Sequence, residues 1–141
     1  QTGWQYLGNK WYYLRSSGAM ATGWYQDGST WYYLDAQNGD MKTGWIYVDN
    51  TWYYLRSSGA MVTGWYQDGS TWYYLDAQNG DMKTGWIYVD NTWYYLRSSG
   101  AMVTGWFQVN GKWYYAYSSG ALAVNTTVGG YYVNYNGEWV Q

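Results

Sequence analysis

The chain has 141 residues, and its 13 Trp, 21 Tyr and one Phe outnumber its 18 Ile, Leu and Val, an inverted ratio for a packed globular core. Cys and His are both absent, which removes disulfides, thiolate nucleophiles, the commonest general base and the commonest zinc ligand, and speaks against an enzyme, a metal site or a bound cofactor. Seven basic against nine acidic residues leave a net charge of −2 with no Lys/Arg cluster, which excludes nucleic acid as a partner, and no apolar run approaches the roughly 18 residues of a membrane span. Gln1-Thr2-Gly3-Trp4 resembles no signal peptide, so the chain reads as a water-soluble piece of something longer.

Along the chain, Gly-Trp recurs at Trp4, Trp24, Trp45, Trp65, Trp86 and Trp106. Trp-Tyr-Tyr follows each time, starting at Trp11, Trp31, Trp52, Trp72, Trp93 and Trp113. Repeats therefore begin near residues 2, 22, 43, 63, 84 and 104, and 123–141 form a degenerate terminal repeat suited to capping an array. Two units make a longer period of 41 residues, since Thr22–Val62 recurs letter for letter as Thr63–Val103. Each unit predicts an aromatic strand, a turn of Gly, Asn or Asp, and a second aromatic strand. A turn at Asp27-Gly28 sets Trp24 directly opposite Trp31. The one-residue shift suggested by Asn110-Gly111 instead pairs Trp106 with Tyr115 and leaves Trp113 as diagonal neighbour, so the two Trp share a face in either register. Strand alternation sends the first Tyr of Trp-Tyr-Tyr to the opposite face. The connectors, Arg-Ser-Ser-Gly-Ala-Met or Asp-Ala-Gln-Asn-Gly-Asp-Met, read as loops. A lone hairpin is marginal in water, so the expected fold class is all-β, a solenoid of stacked hairpins.

Stacking places the Trp pair of one hairpin against the back-face Tyr of the next. The resulting sets are Trp4, Trp11 and Tyr32; Trp24, Trp31 and Tyr53; Trp45, Trp52 and Tyr73; Trp65, Trp72 and Tyr94; and Trp86, Trp93 and Tyr114. At the sixth junction Val133 takes the place of the Tyr, which predicts a weak or absent site. Three electron-rich faces around a small space suit a quaternary ammonium, whose diffuse charge is drawn to ring quadrupoles and whose methyl groups gain by leaving water. A Lys ammonium suits it less, because it must give up strong hydrogen bonds to enter.

Thr-Gly-Trp, Trp-Tyr-Tyr-Leu and Ser-Gly-Ala-Met in this rhythm resemble the choline-binding repeats of pneumococcal surface proteins and their phages. The stretch from Thr104 to Val140 is similar to the C-terminal ending of several of these proteins, among them a phosphorylcholine esterase. The resemblance implies a left-handed β superhelix with choline held between consecutive hairpins on the Trp-Trp-Tyr sets. It adds a fourth wall: Met41, Met61, Met82 and Met102, with Leu122 replacing Met beside Tyr114. These side chains serve equally well as loop anchors under the hairpins. The resemblance also implies a non-catalytic module, spanning 1–141, that holds an extracellular protein non-covalently on choline or phosphocholine of teichoic and lipoteichoic acids.

The rival reading is a carbohydrate (glucan)-binding array. Sugars need planar polar partners beside a ring, and Gln37, Asn38 and Asp40 recur only as Gln78, Asn79 and Asp81, in alternate units. A carboxylate pair for catalysis, Asp35 with Asp40 or Asp76 with Asp81, falls in turn-like segments where Asp is the expected turn former. A bare structural spacer predicts no ligand at all.

Overall fold

The computed structural model describes residues 2–141. All regular structure among them is strand. Six hairpins follow one another: β1 (Gly3–Leu7) with β2 (Lys10–Leu14), β3 (Gly23–Asp27) with β4 (Thr30–Leu34), β5 (Gly44–Val48) with β6 (Thr51–Leu55), β7 (Gly64–Asp68) with β8 (Thr71–Leu75), β9 (Gly85–Val89) with β10 (Thr92–Leu96), and β11 (Gly105–Val109) with β12 (Lys112–Ala116). The chain ends in a three-stranded sheet of β13 (Thr126–Val128), β14 (Tyr131–Val133) and β15 (Trp139–Val140). The fold is all-β, an array of antiparallel hairpins.

The register follows the Asn110-Gly111 pattern throughout the hairpins whose pairing is resolved. Trp24 lies opposite Tyr33 and Gln26 opposite Trp31, as Trp106 lies opposite Tyr115 and Gln108 opposite Trp113. The direct Trp24–Trp31 pairing expected from an Asp27-Gly28 turn is therefore corrected by one residue. The turn is Gly28-Ser29, Asp27 pairs with Thr30, and the cause is where positive φ falls. Gly28 takes φ 65° at the first central position, where Gly serves a two-residue hairpin best. Sibling turns put both central residues at positive φ, as Asp49 (52°) and Asn50 (65°) do. The Gly of each Gly-Trp also has positive φ, between 76° and 83°, so the chain turns sharply into the first strand there.

The connectors are ordered turns rather than plain loops. After β2 the Arg15 amide donates to the Ala19 carbonyl and the Gly18 amide to the Arg15 carbonyl, and Met20 then bridges back to Leu14. In the acidic connector, Asp35 accepts from the amides of Asn38 and Gln37, both at 2.9 Å, and these bonds hold its carboxyl below the usual range. Asp40 is buried and ion-paired with Lys42 at 3.3 Å and Lys10 at 3.6 Å. Asp35 and Asp40 are thus occupied in building the connector.

The fully buried side chains are few and aliphatic: Leu34, Leu55, Leu75 and Leu96 close successive hairpins, with Val62, Val103 and Val133 beneath connectors or the terminal sheet. Two compact units divide the chain, one from its start through Gly64 together with Leu75–Met82, the other Trp65–Tyr74 together with Lys83–Gln141. In the first unit, neighbouring hairpins meet through Tyr13 and Tyr25, whose rings stack at 4.1 Å. In the second, Tyr95 and Phe107 stack at 5.4 Å over a small core that includes Val103 and Ala116. No helix among the described residues is long and apolar enough to cross a membrane.

Candidate functional site

Because Trp4 and Trp11 are diagonal neighbours on one face of β1–β2, their rings meet at 6.4 Å and 81°, two walls of a corner. Tyr32, on the opposite face of its own hairpin, brings a third ring to 4.9 Å from Trp4. These three rings, Met41, Ser57 and Ser58 line a cavity of about 280 Å³. The Trp4 indole N–H is anchored by donation to Asp27 Oδ2 at 3.2 Å.

The same corner recurs. Trp24 and Trp31 stand at 6.4 Å and 84°, with Tyr53 at 4.8 Å from Trp24, around a cavity of about 550 Å³ that also meets Thr51, Met61, Gln78, Asn79 and Asp81. Trp65, Trp72 and Tyr94 repeat it with centroid distances of 6.4 and 4.8 Å, and Trp86, Trp93 and Tyr114 with 6.4 and 5.0 Å. Trp45 and Trp52 form their pair at 6.4 Å within the first compact unit, which also holds Met82, whereas Tyr73 belongs to the second.

Each candidate fourth wall is fixed by the backbone to a Trp of its own set. The Met41 amide donates to the Trp11 carbonyl (2.7 Å), Met61 to Trp31 (2.9 Å), Met82 to Trp52 (2.8 Å), Met102 to Trp72 (2.8 Å) and Leu122 to Trp93 (2.9 Å). Met41 and Met61 both anchor a connector and line a cavity. A glycine of the following connector lets it pack: a Cβ on Gly59 would fall 2.3 Å from Met41 Sδ, and one on Gly80 2.5 Å from Met61 Sδ.

Trp11, Trp52, Trp72 and Trp93 stay open to solvent, with Trp93 44% exposed, and Trp31 is half-buried, while the aliphatic residues fill the core. Electrostatics differ from cavity to cavity. Ser57 and Ser58 border the first, whereas the Asp81 carboxylate borders the second and, after burial itself, raises the pKa of the Tyr53 phenol. The Tyr114 phenol is raised by burial and then by Glu138. No group of three or more His, Cys, Asp or Glu among the described residues is arranged to hold a metal ion.

The sixth junction departs from expectation. Val133 is buried where a Tyr would stand, yet Trp106, Trp113, Tyr131 and Trp139 enclose a cavity of about 320 Å³. Tyr131 is two residues before Val133, so it shares that face of β14, and Trp139 pairs opposite Val133. Trp139, outside the repeating Trp pattern, is the sequence signal for this cavity. Ser57 and Ser58 were missed as neighbours of the first cavity, and Gln78, Asn79 and Asp81, read as polar partners for a sugar, were not assigned to Trp24 and Trp31, because all lie more than 45 residues from the Trp pairs they border.

The family profile described as choline-binding repeat matches residues 1–43, 42–84 and 83–126. Among solved structures, the chain is similar to CbpJ from Streptococcus pneumoniae TIGR4, with 59% identity over 99% of this chain and 58% of that one, at a TM-score of 0.72. It is similar to choline binding protein F of Streptococcus pneumoniae, with 55% identity over 100% of this chain and 58% of that one, at a TM-score of 0.70. A cell wall endolysin from phage Cp-1, solved in complex with choline, shares 36% identity over 86% of this chain and 37% of its own, at a TM-score of 0.59. The chain thus spans a little over half the length of the first two relatives. No curated protein matches the sequence.

Proposed function

The chain belongs to the choline-binding repeat family, and from that premise we propose that it is a non-catalytic module whose aromatic corners hold the choline groups of teichoic and lipoteichoic acids. The supporting observation is the recurrence of one geometry, two indoles at 6.4 Å and a Tyr of the next hairpin at 4.8–5.0 Å, in sets whose rings stay partly exposed. The choline-binding residues proposed are the five Trp-Trp-Tyr sets from Trp4 to Tyr114, with Met41, Met61, Met82, Met102 and Leu122 as fourth walls, and residues 1–141 act as one module. Its place is the outside of the bacterial cell, held non-covalently to the wall.

Affinity comes from number. A choline head has few heavy atoms, so each site binds at about millimolar, roughly −4 kcal/mol. Several sites facing a polymer that repeats the ligand add about 10²-fold or more through effective concentration. The rings, rather than fixed cations, supply the attraction, since Arg15, Arg56 and Arg97 alternate with Asp35 and Asp76 along the connectors. Binding is then weakly salt-dependent; a steep loss of affinity at high salt would replace this reading with phosphate capture.

Tryptophan fluorescence titrated with choline, ethanolamine and glucose tests the proposal. A saturating response near millimolar to choline alone supports it. A glucose response overturns it in favour of the glucan reading, for which the one structural support is Gln78 and Asn79 beside Trp24 and Trp31.

A further inference from the structure

We infer that the cavity at Trp24 and Trp31 is a composite site, which takes a choline group together with the sugar ring that carries it. The inference rests on the proposed function, since it needs choline on the aromatic corner, and adds a reading of what lies behind that choline. The first and second cavities share the corner of two Trp, a Tyr and a Met, and differ in what surrounds it. The first has about 280 Å³ and a rim of Ser57 and Ser58, whereas the second has about 550 Å³ and a rim of Gln78, Asn79 and Asp81. Extra room and extra planar polar groups therefore come together. The corner is also deeper, for Trp31 is half-buried where Trp11 is 41% exposed.

The rim is held in place by its own connector. Asp76 Oδ1 accepts from the backbone amides of Gln78 and Asn79, both at 2.9 Å, and the Asp76 amide donates to the Asp81 carbonyl at 2.8 Å. Gly80, buried between them, packs on Met61, which is itself a wall of the cavity. The turn is thus fixed by backbone and by Asp76, while the side chains of Gln78 and Asn79 are exposed at the mouth. Connector and aromatic corner belong to one compact unit.

What the rim can recognise follows from its groups. A trimethylammonium has no hydrogen to donate to two amides and a carboxylate, and choline brings a single hydroxyl. A phosphate finds no cationic side chain in this lining, and Asp81 opposes it. Sugar hydroxyls both donate and accept in a fixed array, which amides beside a carboxylate answer in kind. Two serine hydroxyls in half the space offer the first cavity no such match. One net hydrogen bond of ordinary strength amounts to about a two- to tenfold preference.

The test is fluorine NMR of the full chain labelled with 5-fluorotryptophan, with the signals of Trp4, Trp11, Trp24 and Trp31 assigned through single Phe variants. The probes are phosphocholine, glycerophosphocholine, methyl glucoside and methyl galactoside, and the phosphocholine esters of the two glycosides at their primary hydroxyl. Phosphate is common to all the choline probes, so its repulsion from Asp81 cancels in the comparison. At Trp24 and Trp31 the midpoint for at least one sugar ester should lie about threefold or more below those for phosphocholine and glycerophosphocholine, with no such gain at Trp4 and Trp11. Gln78→Ala combined with Asn79→Ala, which leaves the backbone amides of the turn in place, should abolish the difference. The inference is overturned if neither ester gains, if Trp4 and Trp11 gain equally, if glycerophosphocholine matches the sugar esters, if the double variant keeps the gain, or if a glycoside without choline binds as well. The first four of these outcomes leave the proposed function standing, and the last favours the glucan reading. Silence of every Trp to phosphocholine removes the proposed function and the inference with it.

Discussion

At the residue scale, two kinds of large side chain do different work, and substitutions separate them. Leu34 is fully buried, so Leu34→Ala should cost about 2–5 kcal/mol in urea unfolding. Trp93 is 44% exposed, so Trp93→Ala should lower stability much less and remove one equivalent of bound choline by equilibrium dialysis. Asp81 adds a negative charge to the second cavity, and Asp81→Asn should weaken choline there by about two- to fivefold, read from the signals of Trp24 and Trp31. Tyr25 carries a pH dependence of its own. Its hydrogen bond with Tyr13, with burial second, pushes its phenol up to about 12 from an ordinary 10.0. A raised pKa means that the folded chain holds this proton more tightly than the unfolded one. The stabilisation is complete below pH 10 and is lost as pH climbs towards 12. Melting temperature should fall across that window, and Tyr25→Phe should flatten the fall.

At the element scale, the hairpins were legible because aromatic strands bounded by Gly, Asn and Asp admit few other readings. Their register was legible only to within one residue, since both Asp27-Gly28 and Gly28-Ser29 contain the glycine a turn needs, and its φ of 65° as first central residue decides the matter. The connectors carried less signal. Arg-Ser-Ser-Gly-Ala-Met looks like a loop, and nothing local reveals that its Met amide will bond a Trp carbonyl thirty residues earlier, as Met61 does with Trp31. Gly59 makes this arrangement testable. Gly59→Ala meets both a φ of 92° and the sulfur of Met41, so it should displace that wall and weaken the first cavity, with Trp4 and Trp11 signals shifting before any ligand is added. In the terminal sheet β14 presents Tyr131 and Val133 on one face, so the replacement of the expected Tyr by Val133 does not by itself describe that junction.

At the scale of the whole molecule, composition and period carried most of the argument. A 20-residue rhythm with two Trp in each unit predicted an all-β array and the Tyr partners of Trp4, Trp24, Trp65 and Trp86. Ligand should in turn hold neighbouring hairpins together within each compact unit, since the sets at Trp4, Trp24, Trp65 and Trp86 each draw walls from two hairpins. Choline at tenfold excess over its dissociation constant should add about 1.4 kcal/mol per independent site, so melting temperature should climb with choline and stay level with ethanolamine.

The first two cavities also overlap along the chain. One takes its lining from Trp4 to Ser58 and the other from Trp24 to Asp81. Their sequence spans interleave, so the stretch from Trp24 to Ser58 lies within both. A tether under tension would then not peel freely at a vacated cavity, because the stretch from Trp24 to Ser58 is still clasped by the occupant of the other. If the chain bears load as the proposed function implies, losing the ligand of one of these two cavities leaves the shared stretch bound at the other.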